Sequence, residues 1–288
     1  MCVLFATFVG MLIPLRAVAA TPSTITIGTT PVFLDYKTGF LNEWRAYLER
    51  HLGQPVKLKQ RSTYREVIDL LLDGQLDFAW ICGYPYVRHQ QQLRLLAVPL
   101  YQKEPLYRSY LIVPAEDRTT MSLEQLEGKI FAYSDPDSNS GYLVPQYELR
   151  RKGIDPMAFF QKSFFTWAHE KVVKAVASGL ADGGSVDGYV WDTIEMINPG
   201  LTARTRIVTK SEKFGFPPVV ARNDVDPLVF ERVRNIFLAM DKNPEGRELL
   251  KRLNLDGFVE RGPNLFHSID RMARFFSDDT GTEEPKPT

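Results

Sequence analysis

The chain has 288 residues, a formal net charge of zero at pH 7 and 44% hydrophobic residues. This length suits two lobes with separate cores, and the composition is that of an ordinary globular protein. A neutral chain without a long basic run gives no reason to expect a partner among nucleic acids or anionic membranes.

The N-terminus predicts export. Residues 1–20 combine an apolar run with the small residues of an A-x-A cleavage signature, as a secretory signal peptide does. The run is too short for a typical membrane span, although an uncleaved anchor remains an alternative. We therefore expect a periplasmic protein in which Cys82 is the single cysteine and serves as a small buried hydrophobe. The polar residues 277–288 predict a disordered tail.

The first part of the exported chain predicts strands alternating with helices. Two helices carry apolar residues at helical spacing, and they end at Gly53 and Gly74. The order is βαβα, which indicates an α/β fold with a mostly parallel sheet. The predicted strands are residues 25–28, 56–58, 77–81 and 93–98.

A second lobe is predicted to begin with a strand at 107–113. The sequence SLEQ at 122–125 predicts a capping box. The chain then returns through a strand at 218–221 to helices that need the first lobe as a packing partner. We predict lobe 1 at 21–108 plus 212–276 and lobe 2 at 109–211. The other predicted elements are strands at 129–133, 163–166 and 204–209 and helices at 170–178, 227–240, 244–253 and 268–276.

One stretch departs from ordinary strand-to-helix connections. The strand at 129–133 is followed by DPDSNSGYLVP at 135–145, which places small polar residues where a helix begins. The N–H groups and positive dipole end of a helix start bind anions. Ser138, Asn139 and Ser140 can add side-chain donors, and Gly141 allows close approach to the backbone. Plain N-capping is the alternative, and Pro145 indicates a late start or a kink.

These residues resemble a known family. DPDSNSGYLVP is similar to the D-P-x-S-x-S-G-x-L-x-P signature of phosphonate-, phosphite- and phosphate-type solute-binding proteins of ABC transporters. The resemblance covers most of the exported chain, and the matching segments come in the family's order. They are TYREVIDLLLDGQLDFAW, YPYV, YRSYLIV, HEKVVKAVASGLADGG and FPPVVARND.

The resemblance implies a type II periplasmic-binding-protein fold, with two α/β lobes and two crossing segments that close on a ligand in the cleft. It also implies that Tyr64 reaches the oxyanion from the other lobe and that His169 donates a further hydrogen bond. Tyr64 in the core and His169 as a helix cap are the alternatives. Lower-priority cleft candidates lie after the first strand and among the aromatic residues: Thr29, Thr30, Tyr86 and Tyr107.

The departures from the family pattern bear on the ligand. Asn139 stands where the family commonly has Thr. Members that hold 2-aminoethylphosphonate pair its amine with two acidic residues, and those positions fall near Tyr189 and Pro217. Asp187 lies close and is a candidate substitute. We therefore expect a small phosphorus oxyanion or an organic phosphonate with an apolar tail rather than an aminoalkyl ligand.

The expected function is that of a binding protein. The sequence contains none of the metal, nucleophile or P-loop motifs that would indicate an enzyme, and no cofactor or metal is expected. We expect a monomer that delivers its oxyanion to a membrane ABC permease. A sensory protein of the same fold that signals to a membrane receptor remains the alternative.

Overall fold

A computed structural model of the chain describes residues 24–30 and 38–279. The predicted signal peptide lies outside these residues. So does the predicted tail from residue 280 onward, whereas residues 277–279 form the end of the last helix.

Within this part of the chain, eleven strands form two sheets. They are β1 (Ile25–Thr29), β2 (Val56–Gln60), β3 (Phe78–Trp80), β4 (Leu93–Leu100), β5 (Leu106–Pro114), β6 (Ile130–Tyr133), β7 (Lys162–Phe165), β8 (Gly183–Asp187), β9 (Thr205–Gly215), β10 (Val219–Arg222) and β11 (Gly257–Val259).

Eleven α-helices are present in the same residues. They are α1 (Thr38–Leu52), α2 (Tyr64–Leu72), α3 (Gly83–Arg88), α4 (Val144–Arg150), α5 (Pro156–Phe159), α6 (His169–Ala177), α7 (Gly188–Ile197), α8 (Pro199–Thr202), α9 (Pro227–Leu238), α10 (Pro244–Arg252) and α11 (His267–Asp279). None of them is long and apolar enough to cross a membrane.

The first sheet has the strand order β11-β4-β10-β3-β1-β2. β1 pairs in parallel with β2 and β3, but β10 pairs antiparallel with both β3 and β4. The expectation of a mostly parallel sheet holds for the four strands from which it was drawn, because β1 to β4 run in the same direction, but β10 and β11 run the other way and make the sheet mixed. The reason is that β10 returns from the other sheet and enters between two strands that point the opposite way.

The second sheet has the order β7-β6-β8-β5-β9. The chain passes between the sheets twice, from β4 to β5 and from β9 to β10. Two α/β lobes with two crossing segments were predicted, and this architecture is confirmed. The predicted lobe limits at residues 108 and 211 fall inside β5 and β9, and these limits stay a prediction.

Local signals located most helices correctly. α1 and α2 are followed by Gly53 and Gly74, whose φ angles of 67° and 76° lie in the left-handed region that favours glycine. The capping box at 122–125 is wrong, because Ser122 makes no side-chain cap bond. Instead, the side chain of Gln125 accepts a hydrogen bond from the backbone N–H of Met121 at 2.6 Å.

β8 and α7 were missed by the sequence analysis. All five residues of β8 are buried, so the strand lacks the alternation of polar and apolar residues that marks a half-exposed strand. The last helices pack largely as predicted. Trp44 of α1 contacts Phe237 of α9, with ring centroids 6.0 Å apart. α11 also reaches the second lobe, where Phe275 contacts Tyr147 of α4 at 5.2 Å.

Candidate functional site

The polar motif lies at the helix start in the second lobe. Ser138 is the N-cap, and residues 139–143 form a wide turn before α4. The N–H of Leu143 donates to the carbonyl of Ser138 at 3.0 Å, a five-residue span. Pro145 has no N–H to donate to the carbonyl of Gly141, which instead accepts from Ser134 N–H at 3.3 Å. The proline therefore explains the wide turn.

Gly141 permits a close approach that no other residue allows. A Cβ atom built at this position lies 1.9 Å from the hydroxyl oxygen of Ser134 and 3.0 Å from Cε1 of His169. Its N–H donates to the hydroxyl of Ser138 at 3.0 Å. The glycine thus brings the wide turn against the end of β6 and the start of α6.

Gly141→Ala is expected to lower the free energy of unfolding by about 1–3 kcal/mol, because the added methyl group overpacks the turn. Urea denaturation followed by circular dichroism measures this change. Gly39→Ala is the control, since Gly39 lies in α1 with nothing within 4 Å of a built Cβ. There alanine should raise stability by up to about 1 kcal/mol. Equal effects at both positions would contradict the packing argument.

Two serines from other strands hold the turn in place. Ser109 of β5 and Ser185 of β8 both donate to the carbonyl oxygen of Ser140, each at 2.7 Å. This fixes the peptide plane of Ser140, while its own hydroxyl makes no hydrogen bond. Sequence analysis missed both supporting residues, because nothing local to β5 or β8 indicates that they meet the motif.

His169 begins α6 and contacts the motif. Its Nδ1 accepts a hydrogen bond from the N–H of Asp187 at 3.0 Å, so Nε2 carries the proton and donates. Nε2 lies 3.4 Å from the hydroxyl oxygen of Ser138. Burial lowers the pKa of His169 from 6.5 to about 3, which keeps the imidazole neutral at physiological pH. His169 is therefore a neutral donor at the helix start.

Tyr64 approaches from the first lobe. It is the first residue of α2 and its side chain is fully buried. Its hydroxyl makes no hydrogen bond. Burial, together with the thiol of Cys82 and the carboxyl of Asp135, raises the pKa of Tyr64 well above its ordinary value. The phenol therefore remains protonated and has a hydrogen to donate.

The two aspartates of the motif face the first lobe. Asp135 accepts from the N–H of Tyr64 at 3.0 Å and from the N–H of Asp137 at 2.8 Å. Asp137 pairs with Arg65 of α2 at 3.1 Å and with Arg88 of α3 at 3.4 Å. The described residues contain no group of three or more His, Cys, Asp or Glu side chains that could hold a metal ion.

Asn139 contacts two residues that come from different parts of the chain. Its Nδ2 donates to the hydroxyl oxygen of Tyr107 at 2.9 Å, and its backbone N–H donates to Sγ of Cys82 at 3.3 Å. Burial raises the pKa of Cys82 to about 11, so the sulfur is a neutral thiol. The sequence predicted a buried Cys82 but not its place beside the motif.

Asp187 ends β8 and caps α7. Its Oδ1 accepts from the N–H groups of Tyr189 and Val190, at 2.9 and 3.4 Å. Burial raises the pKa of Asp187 from 3.8 to about 8, which outweighs these two backbone hydrogen bonds. The carboxyl is therefore largely neutral at pH 7.

Three of the lower-priority candidates, Thr29, Thr30 and Tyr86, belong to the first lobe. Thr29 is buried at the end of β1 and its hydroxyl makes no hydrogen bond. Thr30 contacts the carbonyl oxygen of Trp80 through its backbone N–H at 3.4 Å and its hydroxyl at 3.3 Å. Tyr86 packs edge-on against Phe266, with ring centroids 4.9 Å apart. Their roles in ligand binding stay predictions.

The site is thus a buried group of neutral polar side chains at a helix start between the lobes. Such groups are almost always hydrogen-bonded in folded proteins. The unpartnered hydroxyls therefore indicate a ligand that supplies acceptors, whereas the amide oxygen of Asn139 can only accept and requires a donor. The buried atoms near the motif and the cleft strands that make no hydrogen bond are Thr29 Oγ1, Tyr64 Oη, Ser134 Oγ, Asn139 Oδ1 and Ser140 Oγ.

Two α/β lobes with two crossing segments, and a polar helix start where they meet, define the class of two-lobed solute-binding proteins. The chain belongs to the family described as "ABC transporter, phosphonate, periplasmic substrate-binding protein", whose profile matches residues 36–262. The resemblance inferred from the sequence motifs is therefore confirmed. Members of this family are periplasmic binding proteins rather than enzymes.

Relatives and solved structures agree with this assignment. The phosphate-import protein PhnD of Mycolicibacterium smegmatis is 25% identical over 257 residues, covering 83% of this chain and 76% of that protein. The binding protein component of an ABC phosphonate transporter from Pseudomonas aeruginosa has a TM-score of 0.81 at 22% identity, covering 88% and 86%. PhnD1 of Prochlorococcus marinus in complex with methylphosphonate has a TM-score of 0.80 at 20% identity, covering 88% and 98%.

Proposed function

We propose that the protein captures a small phosphorus oxyanion (a phosphonate, phosphite or phosphate) outside the cytoplasm and delivers it to a membrane ABC importer. The oxyanion would be held at the N-cap and wide turn formed by Ser138, Asn139, Ser140 and Gly141. Tyr64 would contact it from the first lobe, and His169 would contribute a neutral donor.

One observation carries this proposal. In a member of the phosphonate-binding family, a buried hydroxyl of each lobe makes no hydrogen bond, Tyr64 in the first lobe and Ser140 in the second, and the backbone N–H of Tyr64 donates to Asp135 of the motif at 3.0 Å. An oxyanion has several oxygens that can accept hydrogen bonds from a set of neutral donors. A cation or an apolar ligand has no such acceptors. Donors without formal charge also allow the bound anion to be released.

The names of relatives support the ligand class. One relative is named for phosphate import, another for phosphite binding, and one similar structure contains methylphosphonate. In this chain Tyr189 donates its hydroxyl to the carbonyl of Leu253, and Pro217 accepts from the indole of Trp80. Neither residue supplies the carboxylate that an aminoalkyl ligand would require.

A thermal-shift panel tests the proposal. It compares phosphate, phosphite, methylphosphonate, 2-aminoethylphosphonate, sulfate and small carboxylates. A ligand at about one hundred times its dissociation constant adds about 2.7 kcal/mol to the free energy of unfolding, which gives an easily measured rise in Tm. We expect stabilisation by at least one compound among phosphate, phosphite and methylphosphonate. Stabilisation by carboxylates alone would contradict the proposed ligand class, and stabilisation by 2-aminoethylphosphonate alone would contradict the argument against an aminoalkyl ligand.

A further inference from the structure

The segment at 135–139 connects the lobes as well as forming the site. It belongs to the second lobe but contacts the first lobe at three points. Asp135 accepts from the backbone of Tyr64, Asn139 donates to the sulfur of Cys82, and Asp137 pairs with two arginines. The same short segment therefore provides both the helix start and contacts between lobes.

Asp137 is the charged member of these contacts. Its side chain is only 7% exposed, whereas Arg65 and Arg88 are 54% and 36% exposed. Arg65 contacts both carboxylate oxygens, through Nε at 3.1 Å and through a terminal nitrogen at 3.2 Å. Arg88 also lies over the ring of Tyr84, 5.7 Å from its centroid. One buried carboxylate is thus shared by two cations of the opposite lobe.

The position of these arginines ties the ion pairs to the ligand site. Arg65 follows Tyr64 directly in α2, and Asp137 precedes Ser138. A movement of the first lobe away from the turn carries Tyr64 and Arg65 away from Ser138 and Asp137 together. The pairing of Asp137 with the first lobe is therefore coupled to the approach of the two halves of the site.

We propose that Asp137, Arg65 and Arg88 form an electrostatic latch that holds the lobes closed and slows release of the bound oxyanion. The identity of the ligand rests on the proposed function, whereas the contacts of Asp137 with Arg65 and Arg88 do not. Because two of the three side chains are substantially exposed, the latch weakens as salt screens the charges. Because the latch acts on opening of the lobes, it mainly changes the residence time of the bound oxyanion.

Binding measurements distinguish a latch from simple attraction of anions. If the arginines acted only by attracting the oxyanion, Asp137→Asn would remove a nearby negative charge and strengthen binding. A latch predicts the opposite sign, with affinity for methylphosphonate falling roughly tenfold through faster release. Calorimetry gives the affinity, and stopped-flow displacement gives the release rate. Stronger binding in Asp137→Asn would overturn the proposal.

Matched controls come from one helix. Asp270 and Arg274 pair within α11 at 2.9 Å, so Asp270→Asn and Arg274→Gln make the same charge changes without touching the latch. We expect both controls to leave release unchanged. Arg65→Gln and Arg88→Gln should each speed release of the ligand. In the double variant Arg65→Gln with Asp137→Asn, the change in the free energy of the release barrier should be smaller than the sum of the two single changes.

Thiol labelling tests the latch without depending on the ligand. Cys82 is buried where the lobes meet, with 2% of its surface exposed, so it reacts with a thiol reagent only when the lobes separate. In the full chain carrying Cys2→Ala, we expect Asp137→Asn to react several-fold faster than Asp270→Asn, with or without methylphosphonate. Equal rates in both conditions would overturn the latch. Failure of phosphate, phosphite and methylphosphonate alike to bind the unaltered chain would contradict the proposed function alone.

Discussion

Replacing Ser138 and Ser140 together by alanine is expected to weaken oxyanion binding by about 2–4 kcal/mol, or roughly 30- to 900-fold, because two charge-assisted hydrogen bonds are lost. The Ser138 hydroxyl oxygen accepts from the N–H of Gly141 at 3.0 Å. Its own hydrogen is therefore directed to an acceptor elsewhere. The Ser140 hydroxyl makes no hydrogen bond.

Titration calorimetry with methylphosphonate measures this loss. The double variant Ser122→Ala with Ser178→Ala is the control, because the Ser122 side chain makes no cap bond and the hydroxyl of Ser178, the C-cap of α6, donates to the carbonyl of Ala175. The control should bind as the unaltered chain does. Unchanged affinity in the Ser138 and Ser140 variant would mean that the turn only starts a helix.

The sequence located the motif because its signals are local. Small polar residues between a buried strand and an apolar helix indicate a helix start, and Ser138 is indeed the N-cap. Pro145 signalled an irregular helix, which the wide turn at 139–143 bears out. Tyr64 and His169 came from the family resemblance rather than from any pattern in their own segments.

The surroundings of the motif could not be read from the sequence. Cys82, Ser109 and Ser185 contact it across 57, 31 and 45 residues of chain. Such contacts depend on which strands lie at the centre of each sheet and on how closely the lobes approach. The antiparallel position of β10 could not be predicted for the same reason. The strand enters between β3 and β4 after the chain returns from the second lobe, and nothing in its own residues indicates that position.

Raising the pH above about 8 is expected to weaken oxyanion binding through Asp187. Burial raises the pKa of this carboxyl to about 8, so it is mostly neutral at pH 7 and ionises above that value. The backbone N–H of Asp187 donates to Nδ1 of His169 at 3.0 Å, and Nε2 of the same ring lies 3.4 Å from the hydroxyl oxygen of Ser138, so Asp187 lies close to the helix start. An ionised Asp187 would repel an anion bound there.

The expected slope has a limit. A single coupled proton changes affinity by at most about tenfold per pH unit. Asp187→Asn should remove this component while keeping the helix start, since asparagine caps helices about as well as aspartate and retains the oxygen that accepts from Tyr189 N–H. The ionisation of methylphosphonate itself is common to both proteins, so the ratio of their affinities isolates the residue.

The same group affects stability with a definite sign. The pKa of Asp187 in the folded chain, about 8, is above the ordinary value of 3.8, so the folded state retains a proton that the unfolded state has lost between these values. This contribution to the free energy of unfolding is present at low pH, declines as the pH rises from about 4 to about 8, and is lost above that. Asp187→Asn should therefore stabilise the ligand-free protein most at alkaline pH.

Affinities for methylphosphonate and 2-aminoethylphosphonate, measured from about pH 7 to about pH 10, decide between three roles for Asp187. A ratio of affinities that grows in favour of Asp187→Asn above about pH 8 means that the carboxyl faces the oxyanion and must be protonated to admit it. Parallel profiles would mean that Asp187 only caps α7. A variant that loses 2-aminoethylphosphonate binding more than methylphosphonate binding would mean that the carboxylate pairs with an amine. In that case Asp187 replaces the two acidic residues that the chain lacks, and the ligand carries a positive charge.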